Sequence, residues 1–273
     1  MISSDKNLRE KIIGDLLITG FPLEVYVSNT LVKAGGWSVT NSPLYIDPDD
    51  NVTRELDIRA LKIYSEGSKD KVRNNISVFS HLIIQCKKSS KPWVFFDNAG
   101  DDYFWLGFYS LKCDKNDFMT SLCRKGDTIG FTTHRYKNIK RHKSFHVFST
   151  KEKEGNKEIY EALITSCKAL EYYKNMYLTG NTAHFFTPIV VLDGTLWSAS
   201  LSKTSKIKLK QVKNLVVRFD YIFGDDKKPS KYTNQLIEVI TRKDFKRRIK
   251  EIENDNNVLS KSWVNFINLQ KPL

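Results

Sequence analysis

Leu8, Ile12, Ile13, Leu16 and Leu17 recur at the spacing of one helix face, which predicts a short amphipathic helix from about Lys6 to Ile18. Gly20-Phe21-Pro22 breaks it. Pro22 suits the first turn of a second helix, in which Leu23, Tyr26, Val27, Thr30 and Leu31 keep the helical period until Gly35-Gly36 ends it. The pattern then becomes strand-like. Trp37 to Val39 and Leu44 to Ile46 read as short strands, and the acidic turn Asp47 to Asn51 delivers the chain to a charged strand from Arg54 to Leu61. A loop or helical segment from Gly67 to Asn75 leads into a strand from Val78 to Lys88.

Lys91 to Asp102 is aromatic and then loop-like, and Tyr103 to Leu111 is rich in strand formers. A long polar segment covers Thr132 to Lys157. From Glu158 to Tyr177 the apolar positions Ile159, Ala162, Leu163, Leu170 and Tyr173 share one helix face, and Gly180-Asn181 stops that helix. Phe185 to Leu192, Leu196 to Leu201 and Leu215 to Tyr221 are strand-like, with Asp193-Gly194 as a hairpin signal between the first two. A strand from Gln235 to Thr241 runs into a basic helix from about Arg242 to Asn254 that carries Arg247, Arg248 and Lys250. No repeat or linker divides the chain, so a single domain over 1–273 is expected, with a core over about 8–200 and a C-terminal extension over about 201–273.

At 273 residues with 40% hydrophobic and 12% aromatic content, the chain can build a sizeable core. Its apolar runs are too short to span a bilayer and no charged-then-apolar leader opens it, so the expectation is a cytoplasmic protein with no membrane contact. Cys86, Cys113, Cys123 and Cys167 lack the spacing of a zinc site or disulfide framework and read as reduced, mostly buried thiols. His142 and His146 have an i, i+4 spacing but no second pair to complete a metal site. Forty-four Lys and Arg against 31 Asp and Glu give a net charge of +13, a field that attracts polyanions. The run from Arg135 to Lys143, with Arg135, Lys137, Lys140, Arg141 and Lys143 around Tyr136, is the candidate nucleic-acid contact; a solvated loop has the same composition.

The candidate chemistry lies on the two charged strands. Alternation across a pleat puts Gln85 and Lys87 on one face and sends Ile84 and Cys86 to the other; by the same rule Glu55 and Asp57 share a face. Phosphodiester hydrolysis needs an activated water and neutralisation of charge at phosphorus, and a hard divalent cation held by oxygen ligands serves both. Asp57 can anchor such a cation, Gln85 can lend a carbonyl oxygen, and the backbone carbonyl of Cys86 makes a third ligand. Lys87 would sit beside the water, and Glu24 in the first turn of its helix adds a second carboxylate if that helix packs on this sheet. The same residues also fit a cross-strand Asp57–Lys87 ion pair, a satisfied core amide at Gln85 and a dipole-complementing Glu24.

This ordered set, Glu24, Asp57 and then Gln85-Cys86-Lys87, resembles the PD-(D/E)xK nucleases, the restriction-endonuclease-like superfamily, in its Mrr-like and restriction-related branch. The resemblance covers roughly residues 8 to 90, and Gln85 stands where most members have Asp or Glu. It implies an α/β fold, a restriction-endonuclease-like core with a central mixed sheet flanked by helices: a helix, a three-stranded antiparallel meander, a further helix and a fourth strand. Glu158 to Tyr177 and Phe185 to Leu192 would supply the last two, and a C-terminal strand and helix extend the core. It implies Mg²⁺ or Mn²⁺ as cofactor, with Asp57, Gln85, Cys86 (backbone carbonyl) and Glu24 as ligands, and DNA cleavage in prokaryotic defence against foreign DNA. A homodimer, and a defence-system partner such as an ATPase or sensor, are the expected assemblies. The alternative is a catalytically weak or inactive nuclease-fold subunit that binds nucleic acid or a partner.

Overall fold

A computed structural model describes residues 2–65, 77–97, 110–112, 141–147, 157–177, 182–224 and 231–269. Two helices open the chain, α1 (Ile2–Ile18) and α2 (Phe21–Ala34). Eight strands follow: β1 (Ser38–Asn41), β2 (Leu44–Ile46), β3 (Thr53–Glu55), β4 (Ile58–Ser65), β5 (Ser77–Lys88), β6 (Trp93–Asp97), β7 (Ser110–Lys112) and β8 (Arg141–Val147). Helix α3 (Lys157–Met176) precedes β9 (Thr182–Asp193), β10 (Leu196–Leu201), β11 (Ile207–Val212), β12 (Asn214–Phe223) and β13 (Lys231–Thr241), and α4 (Arg242–Leu269) is the last helix described.

Eleven strands form one mixed sheet in the order β1-β4-β5-β9-β13-β12-β8-β6-β10-β11, with β7 also pairing β9. β1, β4 and β5 are an antiparallel meander, in which Ser38 faces Leu61 and Ile58 faces Ile84. β9 returns parallel to β5 along its whole length, from Ser77 opposite Thr182 to Lys88 opposite Asp193. Both strands are covered on two faces, which is why each reads as a nearly unbroken apolar run rather than an alternation. On one face Leu23, Val27 and Leu31 of α2 and Phe245, Ile249 and Ile252 of α4 pack against Ile84, Cys86 and Ile189. On the other, Ile159, Leu163 and Cys167 of α3 pack against Trp93, Val190 and Leu192, and Leu170 and Tyr173 against Leu56 and Ile83.

The helices flanking a mixed sheet agree with the expected α/β class; several local expectations do not hold. The charged strand from Arg54 to Leu61 is two strands, broken at Leu56-Asp57, because Leu56 donates its N–H to Pro43 and buries its side chain under α3 while Ile58 turns under α2. Glu55 therefore lies exposed on β3, in a separate pair with β2, and does not share a strand face with Asp57. Asp193-Gly194 does not close a hairpin. β9 has β5 and β13 as neighbours, and the chain leaves it to run parallel to β6. Glycine is needed there for close approach: a Cβ on Gly194 would lie 2.7 Å from the carbonyl oxygen of Ser89.

The C-terminal strand is not appended to an edge, since β13 lies in the interior of the sheet between β9 and β12. Helix α4 continues beyond Asn254 because Leu259, Trp263, Val264 and Ile267 keep burying one face; the polar Asp255-Asn256 within it is also buried, with Asn256 donating to the Ser80 hydroxyl at 2.7 Å. β11 has no counterpart in the sequence pattern, which its exposed, lysine-bearing edge position explains. The apolar stripe of α1 stays exposed at Leu8, Ile12, Ile13, Leu16 and Leu17. Among the described residues no helix is long and apolar enough to cross a membrane.

Candidate active site

The β4–β5 register, carried one residue beyond Ile58 opposite Ile84, puts Asp57 opposite Gln85. The side chains meet there: Gln85 Nε2 donates to Asp57 Oδ2 at 2.7 Å, and the Cys86 N–H donates to the same oxygen at 2.5 Å. Within an extended strand the N–H and C=O of one residue point to the same side. The Cys86 carbonyl thus also faces Asp57, past the last residue of β4 that pairs with β5. Cys86 directs its side chain into the core under α2, and its thiol is pushed well up, by burial first and then by the Asp57 and Glu24 charges.

Gln85 is 7% exposed, and its Oε1 has no hydrogen-bond partner. A buried amide oxygen without a donor costs about 1–3 kcal/mol. It belongs to the amide whose nitrogen holds Asp57, and an unpaired acceptor oxygen is chemically suited to a cation. Asp57 is half-buried, and burial raises its pKa; the Cys86 N–H, the Lys87 charge and the Gln85 amide pull it back, while Glu55 pushes it further up. No ion pair joins Asp57 to Lys87 among the described residues, so the cross-strand bridge that the sequence allowed is not formed, and the Gln85 amide is only half satisfied.

Glu24 sits in the first turn of α2, after Gly20, whose carbonyl accepts the N–H groups of Leu23 and Glu24. Its carboxyl pKa is raised by burial and then by the negative charges of Asp57 and Glu55. Gln85 pairs with Val190, whose side chain belongs to the core under α3, whereas α2 covers the opposite face. Glu24 and Asp57 are thus brought together at the open start of β4, where the sheet no longer separates its faces. The oxygens of Asp57, Gln85, Cys86 and Glu24 are of the hard kind that suits Mg²⁺ or Mn²⁺ rather than zinc, and Gln85 presents its amide nitrogen, not Oε1, to Asp57.

The basic run is not part of this cluster as far as the structure describes it: Arg135, Lys137 and Lys140 lie outside the described residues, and Arg141 and Lys143 are on β8, four positions from β5 in the sheet order. His142 and His146 fall on the same strand, where an i, i+4 spacing spans about 13 Å. One buried polar pair has no forecast in the sequence. His81 Nε2 lies 3.0 Å from His184 Nδ1, stacked between Phe79, Phe186 and Tyr177, and His81 Nδ1 has no partner. Burial, His184 and then Arg59 push the His81 pKa down to about 2, so the ring is neutral. The available signal was two histidines interrupting apolar strands, a costly placement without a partner. Comparison with protein-family models, curated proteins and solved structures finds no match.

Proposed function

We propose that this protein is a Mg²⁺- or Mn²⁺-dependent DNA endonuclease of the PD-(D/E)xK type. The observation that carries the reading is the junction of Asp57, Gln85 and the Cys86 backbone on adjoining strand ends, with one buried amide oxygen left unpaired. The order of elements supports it: with β2 and β3 inserted in the meander and β6, β7 and β8 between β5 and α3, the sequence α2, antiparallel β1-β4-β5, α3 and parallel β9 follows the helix, meander, helix and strand of that superfamily's core.

Asp57, the Gln85 amide oxygen and the Cys86 carbonyl would hold the cation, with Glu24 as the second carboxylate. A bound divalent ion supplies a polarised water and neutralises charge developing at phosphorus. Lys87, whose charge already acts on Asp57, orients the attacking water and stabilises the transition state from the same strand. The biology proposed with this chemistry is prokaryotic defence against foreign DNA, acting as a homodimer or with an activating ATPase or sensor.

A second reading has one observation in its favour. Gln85 donates to Asp57 and partly satisfies it without a metal, which suits a nuclease fold retained for binding alone. Plasmid incubated with Mn²⁺ separates the two. Cleavage by the intact protein that falls at least about 100-fold in Asp57→Ala and Lys87→Ala, the scale of losing one transition-state contact, supports the enzyme. Intact plasmid with DNA binding retained sinks it.

A further inference from the structure

We propose that the groove between α2 and α4 is a track for the phosphodiester backbone of duplex DNA, an inference that rests on the nuclease reading for its ligand but not for its geometry. The groove encloses about 480 Å³ and is lined by Tyr26, Lys33, Lys246, Lys250 and Glu253, over a floor at the buried Ile249. Lys246, Ile249, Lys250 and Glu253 lie at i, i+3, i+4 and i+7, so one face of α4 supplies its wall.

The charge there is unbalanced. Glu253 is already taken, its Oε1 accepting from Lys62 Nζ at 2.6 Å and from Trp37 Nε1 at 2.9 Å. Lys33, Lys246 and Lys250 are exposed and have no ion pair among the described residues. The arginines of the same helix differ: Arg247 is bound by Asp244 and Glu251, and Arg248 by Glu238 and Glu251. The internal acids thus neutralise the arginines and leave three lysines facing one groove. Tyr26, under the Arg242 guanidinium at 4.8 Å, lines the same groove, whereas Glu24, two positions away and about 160° round α2, does not.

The test is binding of a fluorescent 20-bp duplex in EDTA, with no cleavage required, across a salt titration. Replacing Lys33, Lys246 and Lys250 together by Gln is expected to lower affinity at least tenfold and to reduce the salt slope by about 2–3, one phosphate contact per lysine. All three are exposed, so folding is expected to be unchanged by circular dichroism. Replacing Lys203, Lys208 and Lys210 on the β10–β11 hairpin removes the same charge elsewhere and is expected to cost less than half as much in slope. An unchanged slope in the groove variant, an equal loss in the hairpin variant, or displacement of the duplex by micromolar mononucleotide overturns the track. Asp57→Ala keeps the two readings apart: it is expected to bind within about twofold of wild type while losing cleavage. A protein that binds through the groove and never cuts refutes the nuclease and not the track.

Discussion

Asp57 and Gln85 form an arrangement that a second carboxylate would disturb. The Gln85 amide donates to Asp57 Oδ2, so the half-buried carboxylate is held without a metal. Gln85→Glu removes that charge-assisted bond and puts two anions side by side, and is expected to cost about 2 kcal/mol in EDTA at neutral pH. Saturating Mg²⁺ should restore much of it by binding only the folded protein, which urea unfolding with and without metal would show; equal stability in EDTA would contradict the arrangement. The pH dependence has a defined sign. Asp57 has its pKa raised above the ordinary 3.8, so its contribution to stability is present below that value and is lost as pH rises through the folded pKa. Metal-free Asp57→Asn is therefore expected to gain on wild type in urea midpoint from pH 3.8 towards neutrality, whereas wild type gaining on the variant would reverse the assignment.

At the scale of elements, burial decides what each helix is worth. Trp263 is fully buried on α4, so Trp263→Ala is expected to cost about 3–5 kcal/mol. Ile12 and Leu16 on α1 are about half exposed, and changing both to Ser is expected to shift stability by no more than about 1 kcal/mol; thermal or urea unfolding compares the two. Local patterns made α2, α3, β5 and β9 readable, because each has a helical period or an apolar run bounded by Gly, Pro or Asn. They failed where the deciding contact was distant. Asp255-Asn256 looks like a helix end until Ser80 is seen to receive the Asn256 amide. Asp193-Gly194 has hairpin chemistry, yet the glycine serves the passage of the chain past Ser89.

For the whole molecule, the order of the first six strands of the large sheet places the candidate site where β4 begins beside β5, with α2 on one face and α3 on the other. That Asp57 and Gln85 belong to one cluster was legible in the sequence; that Asp57 lies in the break before β4, outside the strand alternation expected for it, was not. The parallel pairings of β9 with β13 and of β6 with β10 were not legible either, since a parallel partner leaves no local turn to announce it. A net charge of +13 attracts polyanions in general but does not say which cations are available: the acids that neutralise the α4 arginines come from β9, β13 and α4 itself. The central claim is that one cation is held by Asp57, Gln85 and Cys86, and anomalous scattering from crystals soaked in Mn²⁺ tests it most directly. The account predicts one strong peak at about 2.1 Å from Asp57 Oδ, Gln85 Oε1 and the Cys86 carbonyl oxygen, absent in Asp57→Ala. No peak there at saturating Mn²⁺, or one confined to the acidic turn at Asp47, Asp49 and Asp50, would contradict it.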